Sequence, residues 1–257
     1  MSTVIPSAAH FAGHFPERPI LPGVTLLALV LDALGREAGR PAALRAIPFA
    51  RLRRSIAPGE ILALAVRPGD GGRVRVDLSR DGALVANCEL VLGRPDGSAA
   101  PARVRDASAA IAGGATPPVD RLLPQHPPMR FVTSIAGEAP DGVTCAARIP
   151  AACALVSGGS APALAALEAA AQAAAVWEAV RRWRAASAAS PRMGYLVAMR
   201  DVAFFAARIP AESAFLASAR LDAAQPPLMR YAVEVEHDAR PVLRGTIGTV
   251  LVDELGG

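Results

Sequence analysis

One order of signals runs twice along this chain, and that doubling limits the fold more than any other feature. In the first half, Pro22-Gly23 opens an apolar run, Val24 to Leu34, that closes at Gly35 or Gly39. Proline suits the start of a helix and glycine the position just past its end, so this run reads as a helix. It is followed by Ile47 to Leu52, Pro58-Gly59-Glu60, Ile61 to Val66, Val74 to Leu78, Asp81-Gly82 and Leu84 to Leu92. These stretches alternate or are rich in β-formers, and Asp-Gly between two of them signals a hairpin. In the second half, Pro162 opens an apolar helix, Ala163 to Trp183, ahead of Val202 to Ile209 and Pro210-Ala211-Glu212. Phe215 to Leu221, Tyr231 to Glu236, a turn at His237-Asp238 and Val242 to Val252 complete the repeat.

The repetition suggests an internal duplication. One long helix followed by antiparallel strands argues an α+β unit whose sheet wraps the helix. Both helices are apolar nearly all round, as expected of helices buried on most faces. Residues 97–118 are small residues, Pro and Gly without periodic apolar content, and read as a linker or surface crossing. The expected division is a first unit at 1–100, a linker at 101–118 and a second unit at 119–257.

Composition removes several function classes. The chain has 257 residues, enough for one large domain or two of about 120. It is 52% hydrophobic and 19% charged, which rules out a disordered chain. All 27 basic residues are Arg, and the net charge of +4 favours acidic partners only in a general way. Aromatics make up 4% and do not interleave with the basic residues, so no nucleic-acid partner is expected. Cys88, Cys145 and Cys153 are odd in number and form no metal-ligand spacing. No disulfide framework or metal site is therefore expected, Cys145 and Cys153 read as small buried residues, and the expected location is cytoplasmic. Met1 to Phe11 lacks the pattern of a signal peptide. The longest apolar stretch, Ala163 to Val180, is interrupted by Glu168, Gln172 and Glu178, which should make it too polar to span a membrane.

The most specific string is Gly13-His14-Phe15-Pro16-Glu17-Arg18-Pro19-Ile20-Leu21-Pro22-Gly23-Val24. It resembles the GHFPxxPxxPGV pattern of the hot-dog-fold 3-hydroxyacyl-[acyl-carrier-protein] dehydratases. That resemblance implies a catalytic role for His14, with an acidic partner fourteen positions later on the central helix. Here that position is Ala28. The second half resembles the same family in the complementary way. Leu122-Leu123-Pro124-Gln125-His126-Pro127-Pro128-Met129 looks like the family's N-terminal segment, and Glu168-Ala-Ala-Ala-Gln172 like its E-A-x-A-Q helix. Glu168 lies six residues after Pro162, as Ala28 lies six after Pro22, and the histidine position of this half is Ala154.

In that family the histidine and the acid of one site come from two protomers of a dimer. The resemblance therefore implies a tandem double hot-dog: two antiparallel sheets, each wrapped around a long central helix, packed as a pseudo-dimer with the sheets pairing edge to edge. His14 and Glu168 would share one composite site, and Ala28 and Ala154 would mark a dead one. The arrangement resembles the paired dehydratases of aryl-polyene-type pathways. It implies no cofactor, a substrate carried on the phosphopantetheine of acyl carrier protein, and that carrier as partner. Association of double units into larger homo-oligomers stays open.

The chemistry suits these residue types. Removing water from a 3-hydroxyacyl thioester takes a proton from C2 and expels hydroxide from C3. A neutral histidine can take the first proton, and a desolvated carboxyl can protonate the leaving hydroxyl. The thioester oxygen gains charge as C2 loses its proton, and a helix start offers free N–H groups to it. Gly23, without a Cβ, would let a ligand approach there. Phe15, Pro22, Val24 and Gln172 complete the expected substrate-binding set.

Plainer readings stand beside these. Glu168 could face solvent at a helix edge, and Gln172 could either bond Glu168 or cap a strand. Asp32, in the first half at the position of Gln172, could stand in as an acid. His10, at the end of a strand, His126 and His237 read as structural or surface residues. Arg181-Arg182-Trp183-Arg184 suits a helix C-terminus or a docking patch for an acidic carrier, with Arg51, Arg53 and Arg54 as rivals. Thioester hydrolysis and a non-catalytic acyl-binding or assembly role remain the alternatives to dehydration.

Overall fold

The computed structural model describes residues 2–97, 116–186 and 192–252. Most of the expected linker, 98–115, lies outside the described residues. In the first half the elements are β1 (Ser2–Val4), α1 (Gly23–Glu37), β2 (Leu44–Leu52), β3 (Leu62–Pro68), β4 (Arg73–Arg80) and β5 (Ala83–Leu92). Next come α2 (Val119–Leu122), β6 (Val132–Ala139), β7 (Gly142–Ala147), β8 (Ser160–Pro162) and α3 (Ala166–Ala186). The chain ends with β9 (Met193–Phe204), β10 (Arg208–Pro210), β11 (Phe215–Gln225), β12 (Leu228–His237) and β13 (Arg240–Val252).

The expected helices and hairpins form for the expected reasons. Asp81 and Gly82 have φ of +51° and +78°, the double positive φ that a two-residue hairpin loop requires. α1 runs through Gly35, whose missing Cβ leaves room for the returning chain, 3.1 Å from the Arg40 carbonyl oxygen. Of the two expected stops, Gly39 is the one that follows the helix, at φ +64°.

The two expected sheets are one. Eleven strands pair in the order β1-β3-β4-β5-β2-β9-β13-β12-β11-β7-β6, with β8 and β10 forming a separate pair. The halves join where β2 and β9 run antiparallel, with Ala46 opposite Ala203 and Ala50 opposite Met199. The physical reason is that each half ends in an open edge strand, and antiparallel pairing satisfies both edges at once. α3 packs on β6, β7 and β11 to β13, while α1 packs on β1 and on the turn Ala163–Ala165 that opens α3. Buried side chains of both halves form a single apolar cluster.

Alanine suits α3 because it is the best helix former and lets strands approach closely. Ala165, Ala166, Ala169, Ala170 and Ala173 are all fully buried. The helix is less polar than expected: Ala163–Ala185 is long and apolar enough to cross a membrane, but 89% of its most apolar window is buried inside the protein. Its apolar character is accounted for by the core.

Candidate active site

His14 sits in the loop between a short 3-10 turn, Ala8–Phe11, and α1. Gly13 and Phe15 both have positive φ, +78° and +54°. A side chain at 13 would not fit, since its Cβ would lie 2.3 Å from the carbonyl oxygen of His126. The His126 N–H donates to the Gly13 carbonyl at 2.8 Å. This first-half loop is thus pinned to the opening segment of the second half, and His126 serves through its backbone. His10 lies in the 3-10 turn and not at the end of a strand, with its Nδ1 accepting the Ser7 N–H at 2.9 Å.

The His14 side chain is 7% exposed, and its Nδ1 is 2.8 Å from the Ile20 carbonyl oxygen. A carbonyl can only accept, so Nδ1 carries the proton and Nε2 is left as the basic nitrogen. Burial holds the imidazole below its ordinary pKa, while the Glu168 carboxylate and then the Ile20 carbonyl pull it part of the way back.

Glu168 stands on the first turn of α3 and is 4% exposed, so it does not face solvent. Its Oε1 accepts from Gln172 Nε2 at 3.1 Å, one helical turn further on. Gln172 is fully buried and also donates to the Met129 carbonyl at 2.7 Å. Its Oε1 accepts the N–H groups of Phe131 at 2.9 Å and Val132 at 3.2 Å. Gln172 therefore bonds Glu168 and caps the start of β6 at the same time. It is not among the residues that line the cavity.

A cavity of about 320 Å³ brings His14, Phe15 and Gly23 from the first half together with Gln125 and Glu168 from the second. Pro22 and Val24 are not part of its lining: Pro22 caps α1 and Val24 is fully buried in the core. The space above Gly23 is partly taken by Leu52, whose Cδ1 lies 2.4 Å from where a Cβ would be. Along α3 the wall is Glu168, Ala171, Ala174, Ala175 and Glu178, a stripe at helical spacing that spans about 15 Å. Near Glu178 the Tyr231 hydroxyl donates to its Oε1 at 2.6 Å, and burial followed by that carboxylate pushes the phenol well above its ordinary pKa. Tyr195 meets Phe15 edge-on at 6.0 Å between ring centroids.

Sequence reasoning passed over Gln125, Tyr195, Glu178 and Tyr231 as lining residues. Only Glu178 carried a signal, its place on the stripe that starts at Glu168; the others arrive through non-local packing.

Ala28 and Ala154 line a second cavity of about 590 Å³ together, alongside His10, Asp32 and Arg36. Asp32 is exposed there. The Arg181 guanidinium lies 4.6 Å from the centre of the Trp177 ring and Arg184 pairs with Glu138 at 2.8 Å. By contrast the exposed Arg18, Arg53 and Arg54 rim the first cavity, and Arg51 does not line it. Among the described residues no cluster of three His, Cys, Asp or Glu side chains could hold a metal ion. The three cysteines are buried and unbridged, and burial pushes the thiols of Cys88 and Cys145 up to about 12.

Comparison with known proteins fits this geometry. The chain spans about half the length of the curated relatives it matches. The 3-hydroxyacyl-[acyl-carrier-protein] dehydratase FabZ of Granulibacter bethesdensis is 40% identical over 73 residues, 25% of this chain and 43% of that protein. The enzyme of the same name from Rhizobium johnstonii is 36% identical over 92 residues, 32% of this chain and 59% of that protein. Among solved structures, a trans-AT PKS dehydratase domain from Brevibacillus brevis is similar at a TM-score of 0.69 and 14% identity, over 98% of this chain and 93% of that one. The dehydratase domain of PpsC from Mycobacterium tuberculosis is similar at 0.67 and 17%, over 98% and 92%. These likenesses show the α+β hot-dog fold. Residues 2–88 match the family model described as ApeI-like, the ApeI dehydratase, and residues 117–255, more than half of the chain, match the one described as ApeP-like, the ApeP dehydratase. With an ApeI-like segment joined ahead of it, this chain belongs to the ApeP-like dehydratase family.

Proposed function

We propose that the chain is a double hot-dog, a first unit at 1–100 and a second at 119–257 forming a pseudo-dimer, that dehydrates a 3-hydroxyacyl thioester at one composite site. The observation that carries this reading is that His14 and Glu168, from separate halves, line one buried cavity. His14 Nε2 takes a proton from C2, and the electron pair left behind forms the C2–C3 double bond. Glu168 gives its proton to the C3 hydroxyl, which leaves as water. The product is a trans-2-enoyl thioester, and no cofactor enters the step. The first N–H groups of α1 have no intrahelical acceptor, and Gly23, which opens that helix, lines the cavity, so its N–H is the expected donor to the thioester oxygen as charge gathers there. The deciding experiment incubates the protein with a 3-hydroxyacyl carrier thioester and follows its mass. Loss of water supports the reading; release of free acid, or no change, overturns it.

The pH profile has a definite sign. Only the neutral imidazole is a base, and burial holds His14 below 6.5. The acid limb of kcat/KM, which reports the free enzyme's base, is expected to fall off below pH 6.5. Glu168 raises the His14 pKa, so Glu168→Gln should move imidazole titration lower still when followed by NMR. An upward move, or none, would place the carboxyl too far away to act on the same substrate.

The carrier protein is proposed as the partner, docking at the rim of this cavity. Arg181 and Arg184 are engaged with Trp177 and Glu138, whereas Arg18, Arg54 and Arg53, whose Nε donates to Asn87 at 3.3 Å, are exposed residues of the cavity lining. An Arg53→Glu, Arg54→Glu variant should raise KM several-fold more for the carrier-borne thioester than for a free pantetheine thioester, with the gap narrowing at high salt. Equal rises for both would place the docking surface elsewhere.

A further inference from the structure

We infer that Gln125 is a substrate-binding residue whose side-chain oxygen accepts a hydrogen bond from the C3 hydroxyl of the substrate. This rests on the dehydratase reading above and adds a third group to its site. Gln125 is 5% exposed and lines the cavity with His14 and Glu168. Its Oε1 is buried without any hydrogen-bond partner. Buried polar atoms in native proteins are nearly always paired, so an orphaned acceptor on a cavity wall awaits a donor from whatever fills the cavity.

The backbone around Gln125 is held firmly on both sides. One residue later, the His126 N–H is bonded to Gly13 at 2.8 Å, directly before His14. Four to seven residues later, Met129, Phe131 and Val132 are bonded to Gln172, which also holds Glu168. The segment is thus clamped between the base and the acid, and Gln125 lines the cavity that they share. The orphan atom is an acceptor, so the ligand must bring an O–H or N–H. The reacting end of a 3-hydroxyacyl thioester carries one such donor, the C3 hydroxyl. Accepting that proton leaves a lone pair on the hydroxyl oxygen free for the proton of Glu168. It also fixes the C3–O bond in place before it breaks, the kind of positioning that a reaction between held groups needs.

The test uses a 3-hydroxyacyl pantetheine amide and its 3-deoxy counterpart. An amide acidifies C2 less than a thioester does, so neither ligand turns over during a titration. Wild-type protein is expected to bind the hydroxylated amide at least about tenfold more tightly than the deoxy one, since the hydroxyl bonds both Gln125 and Glu168. Gln125→Leu, of similar size, should lose several-fold of that preference by weakening only the hydroxylated ligand, keeping the part that Glu168 supplies. Its melting temperature should stay level or rise, because a buried unpaired atom is removed. Three results overturn the inference: no hydroxyl preference in wild type, a preference undiminished in Gln125→Leu, or equal weakening of both ligands. The last would mean that Gln125 grips the pantetheine arm or shapes the cavity. Failure of the dehydratase reading is seen separately, as a 3-hydroxyacyl thioester that loses no water.

Discussion

Replacing His14 with alanine should slow water loss by roughly 10²- to 10⁴-fold, the usual contribution of a positioned acid or base. Folding should survive, because the side chain bonds the Ile20 carbonyl, and leaving that oxygen unpaired costs only about 1–3 kcal/mol. Glu168→Gln should cost a similar factor: the amide fits where the carboxyl stood but has no acidic proton to give. The two losses should not multiply, since base and acid act in one elimination and either removal leaves the other without a step to assist. Serine at Ala28 or Ala154 should leave the rate unchanged, because these positions line the other cavity. Mass spectrometry of the thioester reads all four variants. Undiminished activity in Glu168→Gln would remove the composite site, and sensitivity at Ala28 or Ala154 would move the chemistry to the second cavity.

The residues that carry this reading were legible because their signals are local. The Gly13 to Val24 string places His14, and the Glu168 to Gln172 string places the acid, each within a few residues of a helix-opening proline. What could not be read depends on contacts between segments far apart in the chain. The junction of β2 with β9 sets Ile47 opposite Val202, and neither strand carries a mark that names its partner. β6 and β7 are short strands in which Gly137 and Gly142 weaken the alternating pattern. Gln125 looked like any polar residue among prolines; only its burial, and the absence of a partner for its Oε1, set it apart. Gln172 contrasts with it. Its place in the motif suggested a group that touches substrate, while its bonds run to Glu168 and to the backbone of residues 129, 131 and 132.

Those bonds make Gln172 a costly position to change. Gln172→Leu keeps the bulk but leaves the Phe131 and Val132 N–H groups and the Met129 carbonyl unpaired in a fully buried place. At about 1–3 kcal/mol for each orphaned group, the loss comes to several kcal/mol, a large part of the roughly 5–15 kcal/mol that holds a typical protein folded. A chain of this size loses about 2–4 °C per kcal/mol, so the melting temperature should drop by about 10 °C or more. Activity measured well below that temperature should also fall, because Glu168 loses the amide that aims it. Should Gln172→Leu fail to fold, Gln172→Glu decides the matter: it keeps an acceptor for Phe131 and Val132 and sets a second carboxyl against Glu168. Two carboxyls so close cannot both ionise cheaply, so this variant should grow less stable as pH rises above the ordinary carboxyl range, where an unfolded chain ionises both at no such cost. Stability that did not respond to pH, with only substrate affinity reduced, would return Gln172 to the substrate-contacting role that its motif suggested.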